Sequence, residues 1–166
     1  AAKYGIDVYA YSYMKSNFHP ADEGADEYYE STYGELFKKC PKLRGVVLVG
    51  ESVGFPSRDP ELEKRNVTSR SWPASDYPEL LECIKKHVYK YNDKADIVFW
   101  SYNWGWAPEE YRVKLIENMP KDVSLLATFE MAQIYVREGV TERTADYTLS
   151  LTGPGNYFLS EAKAAK

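Results

Sequence analysis

The chain has 166 residues, of which 44% are hydrophobic and 28% are charged, as expected for one globular domain with a substantial core. A net charge of −4 without a basic cluster excludes a general electrostatic affinity for nucleic acid, and no apolar run approaches the roughly 20 residues of a membrane span. Two cysteines without metal-ligand spacing exclude a disulfide framework and give no indication of a metal site.

The hydrophobic pattern predicts five β-strands, in chain order at residues 5–13, 45–51, 95–102, 123–130 and 145–151. Between them it predicts helices at 26–39, 77–91 and 108–118, the last with a proline in its first turn. The segment 131–144 fits neither pattern. Strands that alternate with helices favour parallel β-α-β units over a hairpin protein.

Both ends of the chain read as parts of further β/α units. The first residues, "AAK", resemble the last turn of a helix that Gly5 caps, and the final helix, after "GPGN", has no following strand. A complete (β/α)8 barrel typically needs about 250 residues. We therefore predict an α/β fold in which residues 1–166 form a single segment of a (β/α)8 TIM-type barrel with about five parallel strands. A complete small open sheet is the alternative.

The faces of the later strands also favour a barrel. In residues 123–130, serine, threonine and glutamate alternate with leucine, alanine and phenylalanine, which predicts an apolar face on helices and a more polar face lining a lumen. Doubly wound sheets more often have strands that are apolar on both faces. A partial barrel leaves open sheet edges, so we expect contact with the remainder of the same barrel or self-association.

The stretch "GVVLVGESVGFPSRDP", residues 45–60, contains the G-x-S-x-G pattern of a serine-hydrolase nucleophile elbow around Ser52. That motif requires a helix directly after the serine, and Pro56 and Pro60 disfavour a helix there. His19 precedes the serine and His87 lies within a helical pattern, whereas the elbow fold places its histidine after both serine and acid. A hydroxyl in a turn is the simpler interpretation of Ser52.

Glu51 and Glu130 each end a predicted strand, and in β/α barrels the reactive groups lie at the carboxyl ends of strands. Glycoside hydrolysis needs two carboxyl groups, one protonated to release the leaving oxygen and one that acts as nucleophile or base. We predict Glu51 as the general acid/base and Glu130 as the second carboxylate. A salt bridge at the rim of the barrel is the alternative for each of them alone.

Aromatic residues make up 15% of the chain, and several follow the third strand in "VFWSYNWGWAPEE". Flat rings with polar tips suit stacking on sugars as well as ordinary core packing. The predicted sugar platform consists of Tyr102, Asn103, Trp104 and Trp106, whereas Trp100 is expected to pack beneath the helices. The long loop 55–78 predicts a lid. Its predicted contacts with the sugar at the rim are Arg58, Asp59 and Asp76.

Three stretches, "GVVLVGESVGFPSRDP", "SDYPELLECIKKHVYKYNDKADIVFWSYNWG" and "DVSLLATFEM", resemble uncharacterised bacterial proteins with a glycoside-hydrolase-type (β/α)8 barrel. The resemblance extends distantly to the β-N-acetylhexosaminidase superfamily. It implies a carbohydrate-active barrel, with Glu51 in the place of a strand-end acid and Trp104 in that of a sugar-stacking aromatic residue. That superfamily carries an Asp-Glu pair, but Gly50 precedes Glu51 here, so the resemblance does not imply substrate-assisted cleavage of an N-acetyl sugar.

The sequence thus predicts a glycoside hydrolase that acts on a carbohydrate substrate, without a metal ion or organic cofactor and without nucleic acid or membrane as a partner. Two alternatives remain. One is a non-catalytic carbohydrate-binding barrel that keeps the aromatic residues but lacks a working pair of carboxylates. The other is a serine esterase that uses Ser52.

Overall fold

A computed structural model describes residues 1–51, 53–102, 104, 107–128, 134–143 and 156–165. Four parallel strands form one sheet in the order β1 (Tyr9–Ser12), β2 (Gly45–Val49), β3 (Asp96–Trp100) and β4 (Val123–Leu126). The predicted parallel α/β arrangement is confirmed for these strands, whereas closure into a barrel stays a prediction. The predicted fifth strand, 145–151, lies outside the described residues.

The three helices predicted at 26–39, 77–91 and 108–118 lie within two residues of those bounds, whereas a short helix that begins at Pro60 was not predicted. The first is α1 (Ala25–Tyr29), continued by a π-helical turn (Glu30–Gly34) and α2 (Glu35–Lys39). The others are α3 (Pro60–Arg65), α4 (Tyr77–Tyr89), α5 (Glu109–Glu117) and α6 (Asn156–Ala164). The unassigned segment 131–144 contains an antiparallel hairpin of β5 (Ile134–Arg137) and β6 (Val140–Arg143). At the start, a short 3-10 turn ends at Gly5, whose φ of 68° is that of the predicted glycine cap.

One face of the sheet packs against the helices and forms the core. Its strand residues, which the register places side by side, are fully or almost fully buried: Val46, Leu48, Ile97 and Phe99. They share a hydrophobic cluster with apolar side chains of the helices, including Phe37, Leu80, Leu81, Ile84, Leu115 and Ile116. The apolar stripe of α4 and the alternation of β3 therefore meet on the same side, as their periodicities predict.

The opposite face of the sheet, which we call the open face, carries Tyr9, Tyr11, Val47, Val98, Trp100 and Leu126. Tyr9, Tyr11 and Leu126 remain 40%, 53% and 45% exposed. The expectation that Trp100 packs beneath the helices is wrong, because side chains alternate along a strand and Phe99 already points to the helices. Over β1 to β3 this face is mainly aromatic and aliphatic, with Asp96 at its edge, where it accepts a hydrogen bond from the Tyr9 hydroxyl. The polar face predicted for residues 123–130 lies on this side too, since Ser124 is exposed beside Val98 and Thr128 binds Trp100.

The π-helical turn is held against α4 through the carboxylate of Glu30. This carboxylate accepts hydrogen bonds from the Tyr91 hydroxyl at 2.5 Å and from Lys90 Nζ at 2.9 Å, and it lies 2.8 Å from His87 Nδ1. The side chain folds over Gly34, where a Cβ atom would lie 2.8 Å from Glu30 Oε2. The wide turn and the glycine together give the carboxylate room to reach three partners at the end of α4 and just beyond it.

A buried ion pair fastens α6 to α5. Arg112 of α5 and Glu161 of α6 are both fully buried and paired, and the hydroxyl of Ser101, directly after β3, donates a hydrogen bond to the same carboxylate. Two charges removed from water are stable only while they face each other with good geometry. The attachment of α6 therefore depends on this pair.

We expect the Glu30 network to give the protein a pH-dependent stability. Hydrogen bonds from Tyr91, Lys90 and His87 lower the pKa of Glu30 from 4.5 to about 2. A lowered pKa stabilises the fold above the unfolded value, and this stabilisation is lost as the pH falls through the folded value. Urea denaturation of Glu30→Gln should show a lower free energy of unfolding than the wild type at pH 7, with the difference shrinking between pH 4.5 and about 2. Glu27→Gln, on the exposed face of α1, is the control. A difference that is constant with pH would contradict this assignment.

Replacement of Glu161 by glutamine should destabilise the protein strongly, because it leaves the Arg112 charge buried without its counter-ion. Removal of one partner of a buried pair typically costs about 3–5 kcal/mol. The double variant Arg112→Leu/Glu161→Leu should lose less than Glu161→Gln alone, since it buries no charge. Urea denaturation measures all three, and Lys163→Gln on the exposed side of α6 should stay within about 0.5 kcal/mol of the wild type. A double variant as unstable as the single one would count against the ion-pair explanation.

Candidate functional site

Four aromatic rings gather near the carboxyl end of the sheet, on its open face. Tyr11 and Tyr13 meet edge to face with ring centroids 5.3 Å apart, and Tyr11 lies 6.5 Å from Trp100. Tyr102 packs against Trp100 at 4.6 Å. We call these four residues the aromatic cluster. The cluster is formed by residues at the carboxyl ends of β1 and β3. These two strands flank β2, and Glu51 follows β2 in the chain.

Hydrogen bonds fix the position of Trp100 at the centre of the cluster. Its indole Nε1 donates to Thr128 Oγ1 at 3.1 Å, so the ring is tied to the segment that follows β4. Its carbonyl oxygen accepts from the backbone N–H of Gly50 at 2.8 Å and from that of Tyr102 at 2.7 Å. The ring of Trp100 is thus tied to the segment after β4, and its backbone to the end of β2.

Glu51 lies within the electrostatic reach of this cluster. Burial first, and then the Tyr13 hydroxyl and the negative charge of Glu51, raise the pKa of Tyr11 to about 12, with a smaller contribution from Tyr102. The Tyr11 hydroxyl therefore keeps its proton at neutral pH. Of the residues predicted from the sequence, Glu51 and Tyr102 both act electrostatically on Tyr11.

Tyr11 and Tyr13 belong to the site although the sequence analysis did not select them. The signal was present in "YAYSY", where tyrosines alternate along β1 up to its carboxyl end. Alternation places such residues on one face, and the strand end places them at the usual reactive edge of a β/α fold.

Trp104 is a core residue, and its predicted role as a sugar-stacking surface is corrected. The ring is fully buried, with centroids 5.3 Å from Tyr77 and 5.4 Å from Phe99, so it presents no face to a ligand. It occupies the space beside Gly50, where a Cβ atom would lie 2.7 Å from its Cζ2 atom. This packing explains the first glycine of the G-x-S-x-G pattern without a nucleophile. The other predicted residues at this end of the sheet lie outside the described residues: Ser52, Asn103, Trp106 and Glu130.

Asp59 shapes the loop between β2 and α4 and is almost fully buried. Its carboxylate caps α3, since Oδ1 accepts from the backbone N–H of Glu61 at 2.9 Å, while Oδ2 accepts from that of Ser75 at 2.8 Å. Both oxygens thus bind the backbone of the loop itself. A direct contact with a sugar, as the sequence predicted for Asp59, does not fit this position.

Asp76 and Arg58 also order this loop. The Asp76 carboxylate accepts from the Ser57 hydroxyl at 2.7 Å and from the backbone N–H of Arg58 at 2.6 Å. The guanidinium of Arg58 pairs with Asp22, which lies in the loop after β1. The segment predicted as a lid is therefore fastened to the body of the protein. Of the two predicted rim residues, Asp76 has its partners inside this loop, and the Arg58 side chain has its partner in the loop after β1.

The two histidines of the chain lie outside the aromatic cluster. His19 is buried, with Nε2 3.4 Å from an Asp76 oxygen and 3.6 Å from a Glu79 oxygen. His87 faces Glu30 in the helix layer at 2.8 Å. A serine hydrolase needs a histidine at hydrogen-bond distance from its nucleophile. His19 also accepts at Nδ1 from the backbone N–H of Ala21 at 3.1 Å, and His87 Nε2 lies 3.3 Å from an Asp26 oxygen, so both nitrogens of each ring already face a described neighbour other than a serine.

In the part of the chain that the structure describes, no group of three or more histidine, cysteine, aspartate or glutamate side chains is arranged to hold a metal ion. None of the described helices is both long and apolar enough to cross a membrane. Comparison with known proteins gives no match to a family model, a curated protein or a solved structure.

The contact between Gly50 and Trp104 predicts a steric penalty for a side chain at position 50. In Gly50→Ala the new Cβ would lie 2.7 Å from the indole and 2.9 Å from the carbonyl oxygen of Trp100. Such overpacking typically lowers the free energy of unfolding by about 1–3 kcal/mol. Urea denaturation of Gly50→Ala and the wild type measures this difference. Because Trp104→Phe shortens the ring, the alanine should cost less in that background than in the wild type. Equal costs in both backgrounds would show that the indole is not the obstacle.

Proposed function

We propose that the aromatic cluster and Glu51 bind a carbohydrate at the carboxyl end of the sheet, in a (β/α)8 barrel of glycoside-hydrolase type. The observation that carries this proposal is the ring cluster of Tyr11, Trp100 and Tyr102, together with the charge of Glu51 acting on Tyr11. A carboxylate beside exposed and half-buried rings combines a proton donor or acceptor with a surface that stacks on the C–H face of a sugar.

In this proposal each group has a defined role. Trp100 and Tyr102 form the stacking surface, and the protonated hydroxyl of Tyr11 donates a hydrogen bond to the sugar or to Glu51. Glu51 protonates the leaving oxygen as general acid. Glu130, which ends the predicted fourth strand of the sequence, is proposed as the second carboxylate. The distance between the two carboxyl groups would determine whether the reaction retains or inverts the anomeric configuration.

A non-catalytic carbohydrate-binding barrel is the second candidate. It is favoured by the same rings, since stacking and tyrosine hydroxyls suffice for binding and need no second carboxylate. The two candidates differ in what they require of Glu51, which gives a direct test.

Replacement of Glu51 by glutamine should separate the two functions. In a hydrolase, loss of the general acid lowers turnover by about 10²–10⁴-fold while sugar binding persists, because the amide keeps the shape of the side chain. Turnover is to be measured on a panel of 4-nitrophenyl glycosides, and binding of an oligosaccharide panel by tryptophan fluorescence. Glu117→Gln is the matched control. Glu117 is the last residue of α5, far from the carboxyl end of the sheet, so this variant should behave as the wild type.

Trp100→Phe completes this experiment, because it should weaken sugar binding and remove the ligand-dependent fluorescence change. Binding without turnover in the wild type would favour the non-catalytic candidate. A chain that neither hydrolyses the glycosides nor binds the oligosaccharides contradicts the proposal.

A further inference from the structure

The chain bends sharply just after β1, at Met14. This residue has a φ of 50°, in the left-handed region that residues other than glycine, asparagine and aspartate rarely adopt, and its side chain is almost fully buried. The other described non-glycine residues with positive φ have local reasons for it, since Asn66 ends α3 and Glu138 lies in the turn of the β5–β6 hairpin. Met14 lies in neither a helix cap nor a hairpin turn, so contacts with its surroundings must hold its conformation.

Two hydroxyl groups hold this bend. The Ser12 hydroxyl oxygen accepts a hydrogen bond from the backbone N–H of Met14 at 3.1 Å, and it lies 2.7 Å from the Tyr33 hydroxyl oxygen. Tyr33 is buried, and burial raises the pKa of its hydroxyl to about 12, so this hydroxyl keeps its proton at neutral pH. Two residues beyond the bend, the N–H of Ser16 donates to the carbonyl oxygen of Gly54 at 2.8 Å. The bend is therefore held by Tyr33 on one side and fastened to the loop after β2 on the other.

The π-helical turn Glu30–Gly34 places Tyr33 beside the end of β1. Such turns are uncommon and recur at functional sites. The Tyr33 ring stacks on that of Tyr29, with centroids 6.4 Å apart and planes 21° from parallel, and the Glu30 carboxylate fastens the turn to the end of α4. The hydroxyl of Tyr33 is thus presented to Ser12 from a support that is itself held in place.

Alternation along the strand links Ser12 to the candidate site. The register places Ser12 beside Leu48, on the side that faces the helices, so Tyr11 and Tyr13 point to the open face. The pairing with β2 ends at Ser12, and Tyr13 lies one residue beyond it, with its ring 5.3 Å from that of Tyr11. The place of the Tyr13 ring therefore depends on the direction in which the chain leaves the strand, which the bend at Met14 determines.

We propose that Tyr33 is a positioning residue of the candidate site. Its hydroxyl holds Ser12, Ser12 holds the bend at Met14, and the bend holds Tyr13 against Tyr11. Loss of the Tyr33 hydroxyl removes part of what stabilises the left-handed conformation, so Met14 relaxes to a negative φ and Tyr13 turns away from Tyr11. The use of this ring pair by a sugar rests on the proposed function, whereas the positioning itself is tested without a ligand.

Fluorotyrosine incorporated in place of Tyr13 in the full 166-residue chain gives a single fluorine NMR resonance that reports the surroundings of this ring. Tyr33→Phe should move the resonance toward its position in the denatured protein, because the labelled ring leaves Tyr11. Ser12→Ala removes the other hydroxyl and should move the resonance in the same way. Ser12→Thr keeps a hydroxyl at this position and should leave the resonance where the wild type has it.

Tyr111→Phe is the matched control, because it also removes a hydrogen-bonded tyrosine hydroxyl, one whose partners belong to α3. A resonance that Tyr33→Phe leaves unmoved overturns the proposal. An equal displacement by Tyr111→Phe overturns it as well, since the cause would then be a general loss of stability. If Tyr33→Phe loses its far-ultraviolet circular dichroism, the comparison of Ser12→Ala with Ser12→Thr decides, and equal displacement by these two variants overturns the proposal.

Binding of the oligosaccharide panel, followed by tryptophan fluorescence, separates this inference from the proposed function. Tyr33→Phe should raise the dissociation constant about 3- to 10-fold, the net contribution of one hydrogen bond, although Tyr33 lies on the helix side of β1 and not on the open face. A displaced fluorine resonance with unchanged oligosaccharide binding overturns the role of Tyr33 in the site. A wild-type chain that binds no oligosaccharide contradicts the proposed function, and the fluorine result then still decides whether Tyr33 positions the ring pair.

Discussion

The approach of the Trp104 ring to the backbone of Gly50 sets the geometry at the carboxyl end of the sheet. Because position 50 has no side chain, the indole fills the space beside β2 and packs against Tyr77 and Phe99. The Gly50 N–H then reaches the carbonyl of Trp100, which holds β2 and β3 together one step beyond the ladder. Glu51 follows directly, so its position beside the aromatic cluster depends on this contact.

Carboxylates perform two different tasks in this protein. Those of Asp59 and Asp76 accept backbone N–H groups and thereby give a definite shape to a long connection that would otherwise lose much conformational entropy on folding. Glu51, in contrast, acts through its charge on Tyr11 of the aromatic cluster. Residue type alone does not distinguish the two tasks, since aspartates with a purely architectural role lie in the same loop region as the candidate site.

The local sequence pattern predicted most strands and helices of the described fold. It did not predict which side chains are buried by residues far away in the sequence. The stripe of α4 and the alternation of β3 are visible in the sequence because they depend on neighbours a few positions away. The burial of Trp104 depends on Gly50, more than fifty residues earlier, and no local pattern contains that contact. Gly105 and Pro108, which are close in sequence, indicated a loop residue instead. The hairpin at 134–143 carried a readable signal, a turn at Glu138 and Gly139 where both residues have positive φ, of 51° and 79°. Its strands have only four residues each, which is too short for a search based on apolar alternation.

The buried pair of Arg112 and Glu161 gives the attachment of α6 an unusual response to heat. The hydration of ions becomes less favourable as the temperature rises, so the cost of keeping these two charges dry falls on warming. Apolar contacts gain no comparable advantage per unit area. Near the melting temperature the relative weight of this one pair is therefore greatest, and the outermost helix is held by a contact that weakens less with heat than the core beneath it.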